Sequence, residues 1–232
     1  MEYGKNVYHM GYNGEERVMA KVWDWETRVL HWLNATLVIT LALLMLTNEG
    51  MEIIGVEKGL RAPVKRLHAY VGHVFIVTFM LRVLWGFLGN RYARFSDIIP
   101  LRSEQRQAMA ANIRWYLRGL RGSPARVLGH DPLASLLYIV LFIVLLTQAV
   151  SGMTLAGVEF EMFPGYIFVG GLGTDALKGI EEAAEGFHAL GFYFILFFIA
   201  AHLTGLVVHE VKEKTGLFSS MVHGNKYLSK EQ

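Results

Sequence analysis

The 232-residue sequence contains no cysteine. That excludes disulfides, thiolate zinc sites, iron–sulfur clusters and covalently attached c-type haem, because each needs a cysteine sulfur. Charge is also scarce. Asp, Glu, Lys and Arg make up 18% of the residues, against about 25% in soluble domains. The net charge is +2, so no nucleic-acid footprint is visible and no nucleic-acid partner is expected. Repeats and low-complexity tracts are absent. Apolar side chains are abundant instead, at 53%, which points to a membrane protein.

Four apolar stretches, residues 29–47, 67–88, 132–156 and 187–208, are each about long enough to cross a hydrocarbon core, which takes ~20 helical residues. The only charged side chain inside them is Arg82. The expected fold is an all-α integral membrane protein, a four-transmembrane-helix bundle forming a single domain over residues 1–232. The segment before the first stretch is polar and ends in Trp23 and Trp25, so it is not a cleavable secretion signal.

Loop charge sets an orientation. Residues 89–131 carry Arg91, Arg94, Arg102, Arg106, Arg114, Arg118, Arg121 and Arg126, whereas residues 157–186 carry Lys178 against six acids. With four crossings, one side holds 16 Lys and Arg and the other 5. The positive-inside rule then places both termini in the cytoplasm of a bacterial inner membrane. Trp23, Trp25, Trp32, Trp85 and Trp115 all fall at or beyond the inner ends, where some serve as interface anchors.

The arginine-rich loop contains a helical run from Ser103 to Leu120, with Ser103 as N-cap and Gly122 and Pro124 ending it. Two readings stand: an amphipathic helix on the inner surface, or an ordinary loop helix docked on the helix ends. In the acidic loop, Gly171-Leu172-Gly173-Thr174-Asp175-Ala176 formally matches a dinucleotide fingerprint. It follows no strand pattern and sits between two spans, which argues against a nucleotide site.

Five of the nine histidines fall inside the spans: His31, His68, His73, His188 and His202. Ionisable groups at such depth are rare and are functional by default. His188 and His202 are 14 residues apart, which is ~40° short of four turns and ~21 Å along the axis. One helix therefore presents two imidazoles on one stripe, one near each surface. Depth pairs His31 with His202 at the inner level and His68 with His188 at the outer level. Two imidazoles per level, without cysteine or carboxylate ligands, suit bis-histidine haem iron. A proton path or metal-transport site would instead cluster polar groups near mid-membrane.

Gly72, Gly191 and Gly205 lie one turn after His68, His188 and His202 on the same faces. They leave room for a flat macrocycle, or simply allow close helix packing. Arg82 is 14 residues after His68 on the same face. It either meets a haem propionate at the inner level or snorkels to inner headgroups. His73 faces elsewhere and is a structural or second-tier histidine.

The chain resembles the bacterial cytochrome b561 group, which includes the b-type cytochrome subunit of nickel–iron hydrogenases. The likeness rests on Val22-Trp23-Asp24, Arg28-Val29-Leu30-His31-Trp32, Leu67-His68 to Gly72, and Leu81-Arg82 through Asn90. It continues in Arg91-Tyr92-Ala93-Arg94-Phe95, Leu128-Gly129-His130-Asp131-Pro132-Leu133-Ala134, the His188/His202 helix and Met221-Val222-His223-Gly224. The resemblance implies two b haems on the four paired histidines. It also implies electron transfer between the quinone pool and a redox partner outside the cytoplasmic membrane: a hydrogenase, another dehydrogenase or a c-type cytochrome. The alternative is a stand-alone quinol oxidoreductase that reacts with a small oxidant such as superoxide. A second copy of the chain is a further candidate partner. The family usually has Asn where this chain has Asp131, and His73 is an addition to its pattern.

At the inner side, His130 and Asp131 open the third span, and His209 lies seven residues after His202 on nearly the same face. These groups could hydrogen-bond a quinone carbonyl and relay cytoplasmic protons. Equally, they could cap helix ends or bind propionates.

Overall fold

A computed structural model describes residues 8–12, 15–119, 129–130, 132–213 and 216–229. In chain order the elements are β1 (Tyr8–Tyr12), β2 (Glu15–Lys21), α1 (Trp25–Ile53), α2 (Lys58–Leu88), α3 (Phe95–Ile98), α4 (Ser103–Leu117), α5 (Pro132–Phe160), α6 (Gly165–Val169), α7 (Thr174–Glu213), α8 (Leu217–His223) and β3 (Asn225–Ser229). Helices α1, α2, α5 and α7 are long and apolar enough to cross a membrane, as the four apolar stretches predict. Leu43, Val77, Ile143 and Leu190, one on each of them, are more than half exposed. Such exposure is costly in water and neutral in lipid, whereas the backbone polar groups are satisfied within each helix.

The helices outrun the apolar stretches. Helix α7 has 40 residues and begins at Thr174, well before residue 187. Its first turns are polar, with Leu177, Lys178, Glu181, Glu182, Ala183 and Ala184 as strong helix formers. Hydropathy registers only the lipid-embedded part of such a helix. The Gly171–Ala176 fingerprint is correspondingly a turn that enters α7 from α6, not a strand-to-helix junction.

Contacts group the chain into two compact units, Met1–Val29 with Val83–Val140 and Ile199–Gln232, and Leu30–Arg82 with Leu141–Phe198. In the first unit, β1, β2 and β3 form an antiparallel sheet in that order, an element that the sequence reading did not foresee. Lys21 pairs with Asn225, and just beyond, the Val22 and Trp23 amides donate to the Gly224 carbonyl at 2.8 and 3.0 Å. Gly224 sits at φ 90°, a conformation open to glycine at little cost. Val22, Trp23, Ile98 and Trp115 are core residues here, so Trp23 and Trp115 are packing residues, whereas Trp25 is exposed.

Helix α4 confirms the helical run in the arginine-rich segment but changes its ends. Its N-cap is Arg102, not Ser103. The Gln105 side-chain oxygen accepts from the Arg102 amide at 3.0 Å, half of a capping box. The helix stops at Leu117, followed by Gly119 at φ 66°. Gly122 and Pro124 lie outside the described residues.

In the second unit, Thr78 Oγ1 donates to Asn34 Oδ1 at 3.0 Å, a polar tie between α1 and α2 of the kind that joins helices in lipid. Phe75 and Phe79 stack at 5.6 Å, and Phe79 lies 5.8 Å from Phe142. Gly157 and Gly165 let α5 and α6 approach backbone to backbone, since a Cβ on either would meet main-chain atoms of the other helix.

Candidate functional site

The histidine pair expected at the outer level, His68 and His188, lies within the second unit. His68 on α2 and His188 on α7 have ring centroids 6.1 Å apart at an interplanar angle of 78°. His68 Nδ1 is 3.2 Å from the Leu41 carbonyl. A carbonyl only accepts, so the proton is on Nδ1 and Nε2 keeps its lone pair. His188 Nδ1 is 2.9 Å from Ser151 Oγ. Ser151 spends its own proton on the Thr147 carbonyl at 2.7 Å, so its oxygen accepts from His188 Nδ1–H. Both imidazoles thus hold the tautomer a metal ligand needs, with the second ring nitrogen anchored as in metalloprotein second shells.

Two imidazole nitrogens each about 2.0 Å from one metal ion, plus the two half-rings, place the ring centroids roughly 6 Å apart. The observed spacing fits a shared iron. The donor set, neutral nitrogen without thiolate or carboxylate, fits a haem. Among the described residues no cluster of three or more His, Asp or Glu could hold a bare metal ion.

The surrounding glycines divide. A Cβ at Gly72 would come no nearer than 4.0 Å to Leu41 Cδ2, and one at Gly205 would meet nothing within 4 Å. At Gly191 the freed space is occupied by the Gln148 side chain, whose amide donates to the His188 carbonyl at 2.9 Å. Gly152 was not singled out in the sequence. A Cβ there would lie 3.1 Å from His188 Cε1, so this glycine seats the imidazole.

His73 has both ring nitrogens beside backbone carbonyls, Nδ1 at 2.7 Å from Ala69 O and Nε2 at 2.9 Å from Phe163 O. It ties α2 to the segment before α6, the structural role expected as one alternative. Arg82 lies with its guanidinium carbon 5.4 Å from the Phe142 ring centroid. His31 packs edge-on against Trp32 at 5.3 Å.

In the first unit, His202 meets Tyr138 edge-on at 6.2 Å, and Tyr138 meets His130 at 5.4 Å. His130 also lies 5.0 Å from Trp23, with Asp97 Oδ2 3.6 Å from its Nδ1. The buried Lys226 donates to the Gly129 carbonyl at 2.8 Å and lies 5.5 Å from the Trp23 ring centroid. His209 is 9% exposed, with Nε2 2.7 Å from the Tyr116 hydroxyl and its ring 5.6 Å from Trp115. It holds α4 against α7. Asp131 lies outside the described residues.

Sequence reasoning missed Ser151, Gln148, Tyr138, Asp97 and Lys226. Ser151 is 37 residues from His188, and hydroxyls are common in transmembrane helices, so no local spacing signals this contact.

A family model described as prokaryotic cytochrome b561 matches residues 22–224. Among curated proteins, the chain is 25% identical to a "Probable Ni/Fe-hydrogenase B-type cytochrome subunit" of Azotobacter vinelandii, covering 91% of this chain and 92% of that one. It is 27% identical to the protein of the same description from Rhizobium leguminosarum bv. viciae, covering 91% and 90%. It is 26% identical to the "Probable Ni/Fe-hydrogenase 1 B-type cytochrome subunit" of Escherichia coli K12, covering 88% of each.

Proposed function

The chain belongs to the prokaryotic cytochrome b561 family, and from that premise we propose that it is the haem-b membrane subunit of a nickel–iron hydrogenase. In this reading it carries electrons between the hydrogenase, outside the cytoplasmic membrane, and the quinone pool within it. The observation that carries the proposal is the His68–His188 pair, with both Nδ1 atoms engaged and both Nε2 atoms left for iron. The relatives' names favour a hydrogenase partner over a stand-alone quinol oxidoreductase.

Haem iron supplies reversible one-electron transfer; the protein's part is to hold, orient and insulate it. His68 and His188 supply the outer ligands, and the Leu41 carbonyl and Ser151 fix their rings. The 14-residue spacing from His188 along α7 supports His202, with His31, as the ligands of a second haem. Gly72 and Gly205 leave room beside the ligand helices. Arg82 supplies positive charge for a propionate.

The quinone site is assigned to the inner side, at His130. The Asp97 carboxylate lies 3.6 Å from its Nδ1, and an imidazole beside a carboxylate is suited to exchanging a proton with a quinone oxygen. Asp131, the next residue, and His209 are further candidate groups for the same site. Both termini then lie in the cytoplasm, as the loop charges indicate.

The reading is tested in membranes that contain the chain and its hydrogenase. Anaerobic hydrogen should reduce the b-haem absorption, and a quinone analogue should reoxidise it. Haem that hydrogen leaves oxidised, in membranes with active hydrogenase, would overturn the assignment.

A further inference from the structure

The Leu30–Arg82 and Leu141–Phe198 unit holds a charged pocket that none of these roles uses. It measures about 270 Å³ and is lined by Glu52, Lys58, Arg61, Ala62, Lys65 and Glu159. Arg61 donates from Nη1 to Glu52 Oε2 at 2.5 Å, and its side chain is only 13% exposed. Its Nε is buried and makes no hydrogen bond among the described residues. Lys65 Nζ lies 3.4 Å from Glu159 Oε1. A guanidinium has a fixed charge and five donors. One that is nearly buried with donor capacity left over is suited to a second oxyanion.

The pocket's place in the unit says which oxyanion. Arg61 precedes His68 by seven residues on α2, ~20° short of two full turns and ~10.5 Å along the axis. It therefore shares the His68 face. Glu52 follows Leu41, whose carbonyl fixes His68, by eleven residues on α1. Glu159 follows Ser151, which fixes His188, by eight residues on α5. Three of the four helices that carry or anchor the imidazole pair, α1, α2 and α5, deliver a pocket residue two to three turns away from the group that does so, and the ion pairs bring those residues together.

We propose that this pocket receives a propionate carboxylate of the haem held by His68 and His188. Arg61 is its principal donor and Lys65 its second. Glu52 is the competing carboxylate that moderates the hold. The inference rests on the haem reading above. A lipid phosphate offers the same oxyanion chemistry, but the shared face of Arg61 and His68 favours the haem carboxylate.

The test uses the full haem-loaded chain, with redox titration and resonance Raman of the propionate bending mode. An oxidised haem carries one more positive charge than a reduced one, so a nearby cation raises its potential. Arg61→Gln should lower the potential of the outer haem, leave the inner one in place and shift the propionate band. Glu52→Gln should move the same potential upward, and Arg61→Lys should retain part of the wild-type value. If Arg61→Gln does not accumulate, Glu52→Gln tests the same claim through the opposite sign. An unmoved propionate band in both Arg61→Gln and Glu52→Gln overturns the proposal. So does a phospholipid seen on the wild type by native mass spectrometry and lost in Arg61→Gln with the haem spectra unchanged. Failure of the haem reading is distinguishable, because the wild type would then carry no haem to titrate.

Discussion

His188 and Ser151 form a directed pair: the imidazole Nδ1–H donates to a hydroxyl oxygen 2.9 Å away, and that hydroxyl passes its own proton to the Thr147 carbonyl at 2.7 Å. Direction matters because it leaves Nε2 as the only nitrogen able to bind iron. Ser151→Ala should free the ring to rotate and weaken outer-haem retention by about 10- to 100-fold, the usual cost of losing an anchor behind a metal ligand. Haem content after repeated detergent dilution reads this. Full retention in Ser151→Ala would show that the anchor is dispensable.

His73 is the internal control. It is close to His68 in sequence, yet both its nitrogens are beside backbone carbonyls. His73→Ala should keep both haems while lowering thermal stability. Loss of a haem in this variant, with His68→Ala retaining both, would reassign the ligand on α2.

The four spans were legible because long apolar runs are dictated by lipid. The polar first turns of α7 were not, since hydropathy senses lipid contact and not backbone hydrogen bonding. The sheet was hidden for a different reason. Its β2–β3 ladder joins Arg17 to Ser229 and Lys21 to Asn225, and strands from opposite ends of a chain leave no local pattern. His68 and His188 stood out because ionisable side chains are rare inside apolar spans, whereas Ser151 and Gln148 blend into an ordinary transmembrane sequence. Ser103 was misplaced by one residue because Arg102 adopts the extended cap conformation and Gln105 closes the turn from within.

Tyr116 and His209 join α4 to α7 through a 2.7 Å hydrogen bond beside the buried Trp115. Tyr116→Phe removes that bond at a cost of about 1 kcal/mol. Thermal unfolding followed by haem absorbance should show a lower midpoint with unchanged haem content. An unaltered midpoint would mean that Trp115 packing alone docks the helix.

Asp97 addresses the proposed quinone chemistry. Its carboxylate is 3.6 Å from His130 Nδ1, so Asp97→Asn removes the charge that orients and supports a protonated imidazole. Stopped-flow reoxidation of the haems by a quinone analogue should slow, as it should in Asp131→Leu, with haem content intact. Wild-type rates in both Asp97→Asn and His130→Phe would move the quinone site away from His130.

The central claim is bis-histidine haem b at two levels of one helical bundle without a cysteine. Pyridine haemochrome quantification per chain tests it directly. The account predicts two b haems, wholly extractable by acid–acetone, falling to one in His68→Ala or His188→Ala and to one in His31→Ala or His202→Ala. One haem or none in the wild type, or haem that resists extraction, would contradict it.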